Sequence, residues 1–385
     1  MNNNIHKEFE VAIAGGGLAG LSAAIQLRDT GHSVVVIEKE KYPFHKLCGE
    51  YLSLEAVPHL KRLGFNIDSL NLPVIDTLFL SAPNGRSLTI ELPLGGIGIS
   101  RYLLDQSLAN IARVKGASVL EEAKVTDIQF DNDYSIMIST PRVNDLTIKA
   151  KLCCAAYGKR SNIDVKWKRS FLEHHNKRLD NYIAVKYHVH SNHKKNIIEL
   201  HNFENGYCGF SAIENNTSCL CYMTKAEDLK KSGNSIQRME KDILHRNPHL
   251  KKIFTGSEII KDFPITISQI NFNRKSLIEN NVIMLGDAAG MISPLCGNGM
   301  SIALHSSKIA VHFIDQFLNN ALSRHQMEQL YVAEWKKNFS GRMRTGRILQ
   351  SFFGSNQLSN LLVGTFSLFP FMAKPVVRRT HGKEF

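Results

Sequence analysis

Gly15, Gly17 and Gly20 follow the apolar run Val11 to Ala14 with the spacing G-x-G-x-x-G, and Glu38 closes a second apolar run, Val34 to Ile37. Residues of these types at these positions suit the binding of a dinucleotide. Gly15 allows a sharp strand-to-helix turn, Gly17 removes a side chain where backbone must approach a pyrophosphate, and Gly20 lets the helix press on the sheet. Leu18 and Ala19 open that helix, whose first turn offers unpaired N–H groups and a positive dipole end to phosphate. Glu38, with Lys39 beside it, can accept hydrogen bonds from a ribose. A glycine-rich turn can also be a plain strand–helix connection without a ligand. Here the strand context, the small Ala23 and Ala24, Gly31 and the terminal acid agree on a nucleotide.

A second set stands far along the chain. Val282 to Leu285 leads into Gly286 and Asp287, then Pro294, Gly297, Asn298, Gly299 and Met300 open a long helical pattern to about residue 318. A nicotinamide dinucleotide domain has no use for this remote acid and glycine loop, whereas an extended cofactor with a second polar segment does. Between the two sets lie the loop Cys48-Gly49-Glu50, Arg101 at a helix start and the stretch Tyr157-Gly158-Lys159-Arg160-Ser161. Cys48, Glu50 and Tyr207, with His45, are acid–base or nucleophile candidates by position alone, and core or surface roles are the commoner fate of such residues.

These residues need elements to position them. A βαβ start is followed by a hairpin around Pro83-Asn84-Gly85, a helix from Arg101, and strands near 118–121, 124–130, 134–140 and 145–156. Alternating runs at 182–190, 196–203, 207–213 and 217–223 predict an antiparallel layer, with turns at Asn205-Gly206 and Asn215-Asn216 and a helix over 234–246. The predicted fold is α/β. A Rossmann-like, three-layer nucleotide domain comes from 1–165 plus 276–320, a β-rich substrate domain is inserted at 166–275, and a helical segment fills 321–385.

The 385 residues carry a formal net charge of +12 and 43% hydrophobic residues. The basic pairs are scattered rather than interleaved with aromatics, which argues against nucleic acid as a partner and suits an anionic cofactor, an acidic substrate or an anionic membrane face. No apolar run is long enough for a membrane span, and the first residues lack a signal-peptide core, so a cytoplasmic location is expected. Seven cysteines without a C-x-x-C pair offer no metal-ligand spacing, and no metal is expected. The apolar run 361–373, followed by Lys374, Arg378, Arg379 and Lys383, suits either a helix packed on its own domain or peripheral contact with a membrane face. Oligomeric state leaves no mark in the sequence.

Taken together, residues 9 to about 318 resemble the large FAD-dependent family that contains p-hydroxybenzoate hydroxylase-type monooxygenases, geranylgeranyl reductases and flavin-dependent halogenases. The Cys48-Gly49-Glu50 loop brings the resemblance closest to the geranylgeranyl reductase-like members. The resemblance implies that Gly15, Gly17, Gly20 and Glu38 hold the ADP half of FAD, that Arg101 approaches its phosphate and ribityl region, and that Asp287 bonds a ribityl hydroxyl. It also places Cys48 and Gly49 beside the isoalloxazine and Cys48 near Cys296. Gly297 to Met300 would bring N–H groups and a helix dipole to the pyrimidine edge, where reduced flavin gathers negative charge.

The departures narrow the function. Tyr157-Gly158 stands where the family has Asp-Gly, and Asp164 where it has Arg, leaving Lys159 and Arg160 as possible replacements. The family's Trp-containing strand corresponds to Gly206–Ala212, with Gly209 in place of the Trp, and the chain's two tryptophans, Trp167 and Trp335, lie elsewhere. Halogenation loses support. The expected activity is that of an FAD-dependent oxidoreductase of monooxygenase type, reduced by transiently bound NAD(P)H and acting on an apolar, aromatic or lipid-like substrate. Double-bond reduction of the geranylgeranyl reductase type and non-catalytic electron transfer are the alternatives.

Overall fold

The computed structural model describes residues 8–141, 143, 146–173, 181–260, 262–352, 355–372, 375 and 382–385. Its strands are, in chain order, β1 (Glu8–Ala14), β2 (Val34–Ile37), β3 (Tyr51–Ser53), β4 (Val74–Ser81), β5 (Ser87–Gly98) and β6 (Ser118–Leu120). There follow β7 (Lys124–Asp131), β8 (Asp133–Ser139), β9 (Leu146–Ala155), β10 (Tyr182–His190), β11 (Ile197–Phe203) and β12 (Gly206–Ala212). The last are β13 (Ser218–Lys225), β14 (Glu258–Ile259), β15 (Ile265–Ile270), β16 (Ile278–Glu279) and β17 (Val282–Met284). Five helices position the site: α1 (Leu18–Asp29), α2 (Arg101–Val114), α3 (Gly299–Leu318), α4 (Arg324–Phe352) and α5 (Asn356–Leu368).

The first sheet runs β16-β17-β9-β1-β2-β6, with β8 on β9 and β7 on β8. Its centre is parallel, β1 lying between β2 and β9 and β17 following on β9. Strands covered on both faces must be apolar throughout, and Val11 to Ala14, Val34 to Ile37 and Val282 to Met284 are all buried. α1 packs on α3 through small side chains, with the Ser307 hydroxyl donating to Ser22 Oγ at 2.8 Å.

The second sheet runs β14-β10-β13-β12-β11-β4-β5-β3, with β15 also on β10. Asn205 adopts φ +64°, and Asn215 and Asn216 adopt +57° and +55°, in the tight turns that the sequence places there. One feature departs from sequence order. The hairpin β4–β5 falls inside the span 1–165 read as nucleotide domain, yet β4 pairs in parallel with β11 and the hairpin belongs to the second sheet. The cause is the apolar face of the hairpin: Leu80, Leu88 and Ile90 meet Leu200 and α5 residues Val363 and Phe366, a cluster no nucleotide-side element covers.

The C-terminal apolar run spans the second half of α5 and the turn after it. Val363 is buried on the second sheet, while Leu361 and Leu368 are 68% and 76% exposed and Phe371 69%. Lys374, Arg378 and Arg379 lie outside the described residues; Lys383 is exposed. No helix among the described residues is long and apolar enough to cross a membrane.

Candidate functional site

The β1–α1 turn is built for close backbone approach. A Cβ on Gly15, at φ +111°, would lie 2.5 Å from the Ala156 carbonyl oxygen, and one on Gly20 would run into the Gly15 carbonyl oxygen. Gly17 differs, because a Cβ there would face Arg101 Nη2 and Lys46 Nζ, each at 3.6 Å. Beside the turn, Glu38 Oε2 accepts from the Gly16 N–H at 2.9 Å and Oε1 from the Glu40 N–H, and the Tyr42 hydroxyl donates to the Gly16 carbonyl. The open side of Gly17 is therefore electropositive.

Those cations are held. Arg101 makes a bidentate pair with Asp105, one turn along α2, at 2.6 and 2.7 Å, and Lys46 Nζ lies 3.1 Å from the same carboxylate. Burial raises the Asp105 carboxyl, but Arg101 and Lys46 outweigh it and keep the group below the usual carboxylate range. Sequence reasoning missed Asp105 and Lys46. The i, i+4 spacing of Arg101 and Asp105 was the available signal.

The Cys48-Gly49-Glu50 loop is tied to the second sheet. Glu50 is fully buried at φ +56°; it pairs with Lys186 on one oxygen and with His188 Nε2 at 2.6 Å on the other. The Arg101 N–H also donates to it at 2.9 Å. Burial would raise this carboxyl, yet Lys186 and His188 hold it down at about 2. Both carboxylate oxygens of Glu50 are thus engaged within the protein. Glu50, His188 and Cys219 could converge on a cation, but the Lys186 ammonium already occupies the carboxylate and burial holds the Cys219 thiol protonated. His45 packs between Tyr102, His188 and Phe263, and burial, followed by its electrostatic interactions with His188 and Lys186, depresses it to about 4. Cys48 lies in contact with Cys219, whose thiol donates to its carbonyl at 3.4 Å, whereas Cys296 packs against Gly346 of α4. Burial pushes the Cys296 thiol up to about 12, an inert packing thiol.

The middle motif is rebuilt. Tyr157 donates to Asp164 Oδ1 at 2.7 Å, and a fully buried Arg169 reaches the same oxygen at 2.8 Å and the Ala288 carbonyl at 3.2 Å. An arginine thus enters from a position later in the chain, which spacing alone did not reveal. Lys159 Nζ bonds the Leu47 carbonyl at 3.1 Å, so it ties this motif to the Cys48 loop. Arg160 is exposed. Asp287 lies half-buried on the β17 loop, and the half-buried Lys275 spans its carbonyl at 2.8 Å and that of Lys159 at 3.0 Å.

Burial, opposed by Asp164 and Asp287 and reinforced by Arg169 and Lys159, lowers Lys275 from 10.5 to about 8. Between these values the unfolded chain binds a proton that the folded chain lacks, so this group favours folding more as pH rises. Thermal melts should therefore show wild type gaining on Lys275→Met from about pH 8 to 10 and the two running parallel below about pH 7. A pH-independent difference would remove the assignment.

Gly297, at φ +65°, and Gly299 bring the start of α3 to the same region, with Asn298 and Met300 buried beside them. A Cβ on Gly49, Gly158 or Gly299 would meet no atom within 4 Å. The three loops around the β-strand ends therefore face open space across glycines. Beside these loops Tyr182, Ala184, Tyr207, Met223, Ile270 and Phe272 form a buried apolar cluster with Met291, Leu47 and Leu295 from the loops. Tyr207 is buried, its hydroxyl without a hydrogen-bond partner among the described residues, and burial holds its proton well above the ordinary range. Gly209, on the same face, leaves room where a large side chain would stand, with Leu200 at 3.6 Å.

The family model for the FAD binding domain matches residues 8–321. The chain belongs to this FAD-binding family. Its fold and its relatives make it an FAD-dependent oxidoreductase. The digeranylgeranylglycerophospholipid reductase of Methanococcus vannielii is 22% identical over 349 residues, 86% of this chain and 83% of the relative. The geranylgeranyl bacteriochlorophyll reductase-like protein of Thermoplasma acidophilum superposes with a TM-score of 0.79 at 18% identity, over 94% of this chain and 91% of that one. A flavin-dependent brominase gives 0.78 at 18% identity, over 97% and 93%. At such identities the solved structures establish the fold of this FAD-binding protein. Its glycine-lined space and paired cations are of the kind an ADP-containing flavin needs.

Proposed function

We propose that the protein saturates a carbon–carbon double bond in an apolar, isoprenoid-like substrate. The observation that carries this is the Tyr182–Tyr207–Met223–Phe272–Met291 patch, a continuous apolar cluster shared by the second sheet and the loops around β17. The reductase names among the relatives point the same way. The absent Trp stretch, which tilts a sequence reading towards oxygenation, instead leaves Gly209 as room for an aliphatic chain.

In this reading Gly15, Gly17, Leu18, Ala19, Gly20, Glu38 and Lys39 would hold the adenosine and pyrophosphate end of FAD, with Arg101 and Lys46 neutralising phosphate charge. Cys48, Gly49, Gly158, Gly286, Asp287, Pro294 and Gly297 to Met300 would frame the ribityl chain and ring. Saturation takes a hydride and a proton: the hydride is what bound FAD supplies once a donor of NAD(P)H type has reduced it. The chain supplies the rest. The apolar patch excludes water and orients the double bond, and Tyr207 Oη holds a proton in a buried setting with no competing partner. The start of α3 stabilises negative charge opposite it.

The decisive experiment incubates the holoprotein with NAD(P)H and a polyprenyl substrate, with and without oxygen. Product two mass units heavier per bond, formed without oxygen, is expected. Oxygen incorporated into product would establish monooxygenation instead, and absence of any turnover would leave an electron carrier.

A further inference from the structure

Residues 382–385 are pinned at both ends. The Gly382 N–H donates to Glu55 Oε2 at 2.5 Å, while Arg342 of α4 holds Oε1 at 2.7 Å. Glu55 is fully buried in the turn Leu54–Ala56 after β3, and only a residue without a Cβ can reach it: one on Gly382 would run into Oε2 and lie 2.7 Å from Arg342 Nη1. Further on, the Phe385 N–H donates to the Glu55 carbonyl at 3.4 Å, and the Phe385 carbonyl accepts from Arg62, at the end of the helix Val57–Arg62. The Phe385 ring then lies flat on His305 of α3, with 4.2 Å between centroids and 5° between planes, and 5.4 Å from the ring of His59.

What that ring covers is a junction. His59 Nε2 lies 3.0 Å from Ser22 Oγ of α1, to which Ser307 of α3 donates at 2.8 Å. α1 starts at the Gly15–Gly20 turn and α3 at the Gly297–Gly299 loop, so Ser22 and Ser307 join the two helices whose first turns face the glycine-lined space. Both imidazoles beside the junction are uncharged near neutral pH. Burial, then Arg62, Lys308 and His305, lowers His59 to about 3, and burial, then Lys308 and Arg342, opposed by Glu334, lowers His305 to about 4. Hydrogen bonds between small side chains hold firmly only where water does not compete for them, and an aromatic ring laid over them keeps water away.

We propose that residues 382–385 form a strap whose Phe385 ring seals the α1–α3 junction, fixing the two helices relative to one another and making Phe385 a positioning residue for FAD. The proposal rests on the assignment of α1 and α3 to the cofactor made above and holds whichever reaction the flavin performs.

The test compares wild type with Phe385→Ala, Gly382→Ala and the conservative Phe385→Trp. FAD titrated into each apoprotein, followed by flavin fluorescence, should bind about tenfold more weakly to the two alanine variants and near wild-type affinity to Phe385→Trp. The imidazole proton resonances of the FAD-loaded proteins give the second readout. From about pH 5 to 8 the His59 and His305 signals of wild type and Phe385→Trp should stay at their neutral positions, whereas in the alanine variants they should titrate towards the ordinary value of 6.5 as water reaches the rings. Weaker FAD binding with unmoved imidazoles would mark a merely structural loss and overturn the proposal, as would unmoved imidazoles with wild-type affinity. Shifted imidazoles with undiminished FAD affinity would overturn the positioning role. Gly20→Ala measured in parallel separates that failure from failure of the cofactor assignment, under which its FAD affinity would be undiminished too.

Discussion

Glu50→Gln should destabilise the protein by about 3–5 kcal/mol, because it leaves the Lys186 ammonium buried without its counter-charge. Glu50 and Lys186 are both fully buried, and the remaining contact of the ammonium is the Lys46 carbonyl at 3.1 Å. The loss falls where the Cys48 loop, β10 and the start of α2 meet, so the variant should also release its flavin during purification. Neutralising both partners in Glu50→Gln/Lys186→Met should recover most of the stability, since the cost lies in the orphaned charge. Acid sharpens the test. The folded Glu50 carboxyl sits at about 2 against an ordinary 4.5, so its contribution is complete above 4.5 and disappears as pH falls through 2. Wild type should lose stability relative to the double variant over that interval, as followed by chemical denaturation at a series of pH values. Equal denaturation midpoints for Glu50→Gln and wild type at neutral pH would refute this account.

The second large effect concerns the first turn. Gly20→Ala places a methyl group against the Gly15 carbonyl oxygen and 3.1 Å from Ile13 Cγ2, both parts of a buried strand–turn unit that cannot move independently. α1 must lift from the sheet, at a cost of about 1–3 kcal/mol for overpacking. Its N-terminal N–H groups move with it. Affinity for FAD should fall at least about tenfold, measured by titrating FAD into apoprotein and following flavin fluorescence. Gly31→Ala, whose Cβ meets nothing within 4 Å but whose φ is +91°, serves as the control: it should cost backbone strain alone and leave FAD affinity near wild type. Gly20→Ala with undiminished FAD affinity would show that this turn does not position the cofactor.

Much of the scaffold was legible because its signals are local. Alternating and apolar runs located β10 to β13, and the glycine spacing located the turn before α1, because period and backbone freedom are properties of adjacent residues. What stayed hidden is pairing at a distance. Lys186 is one basic residue among many until β10 sets it against Glu50, and Arg169 cannot be recognised as the partner of Asp164 before α-helical capping at Ser161 fixes that carboxylate. Asp164 looked like a lost arginine. It is half of an ion pair whose other half follows five residues later. The hairpin β4–β5 was found as a hairpin, while its allegiance to the second sheet depends on β11, a strand made much later.

That allegiance bears on how the chain is made. Ser81 and His201 are parallel neighbours across 120 residues of sequence, so a chain emerging from its N-terminus presents the edge of β4 long before the strand that covers it exists. Pairings this remote are slow to close, and the interval leaves an apolar hairpin available to the wrong neighbour. Assembly of the second layer is therefore a late event that completes, rather than follows, the first.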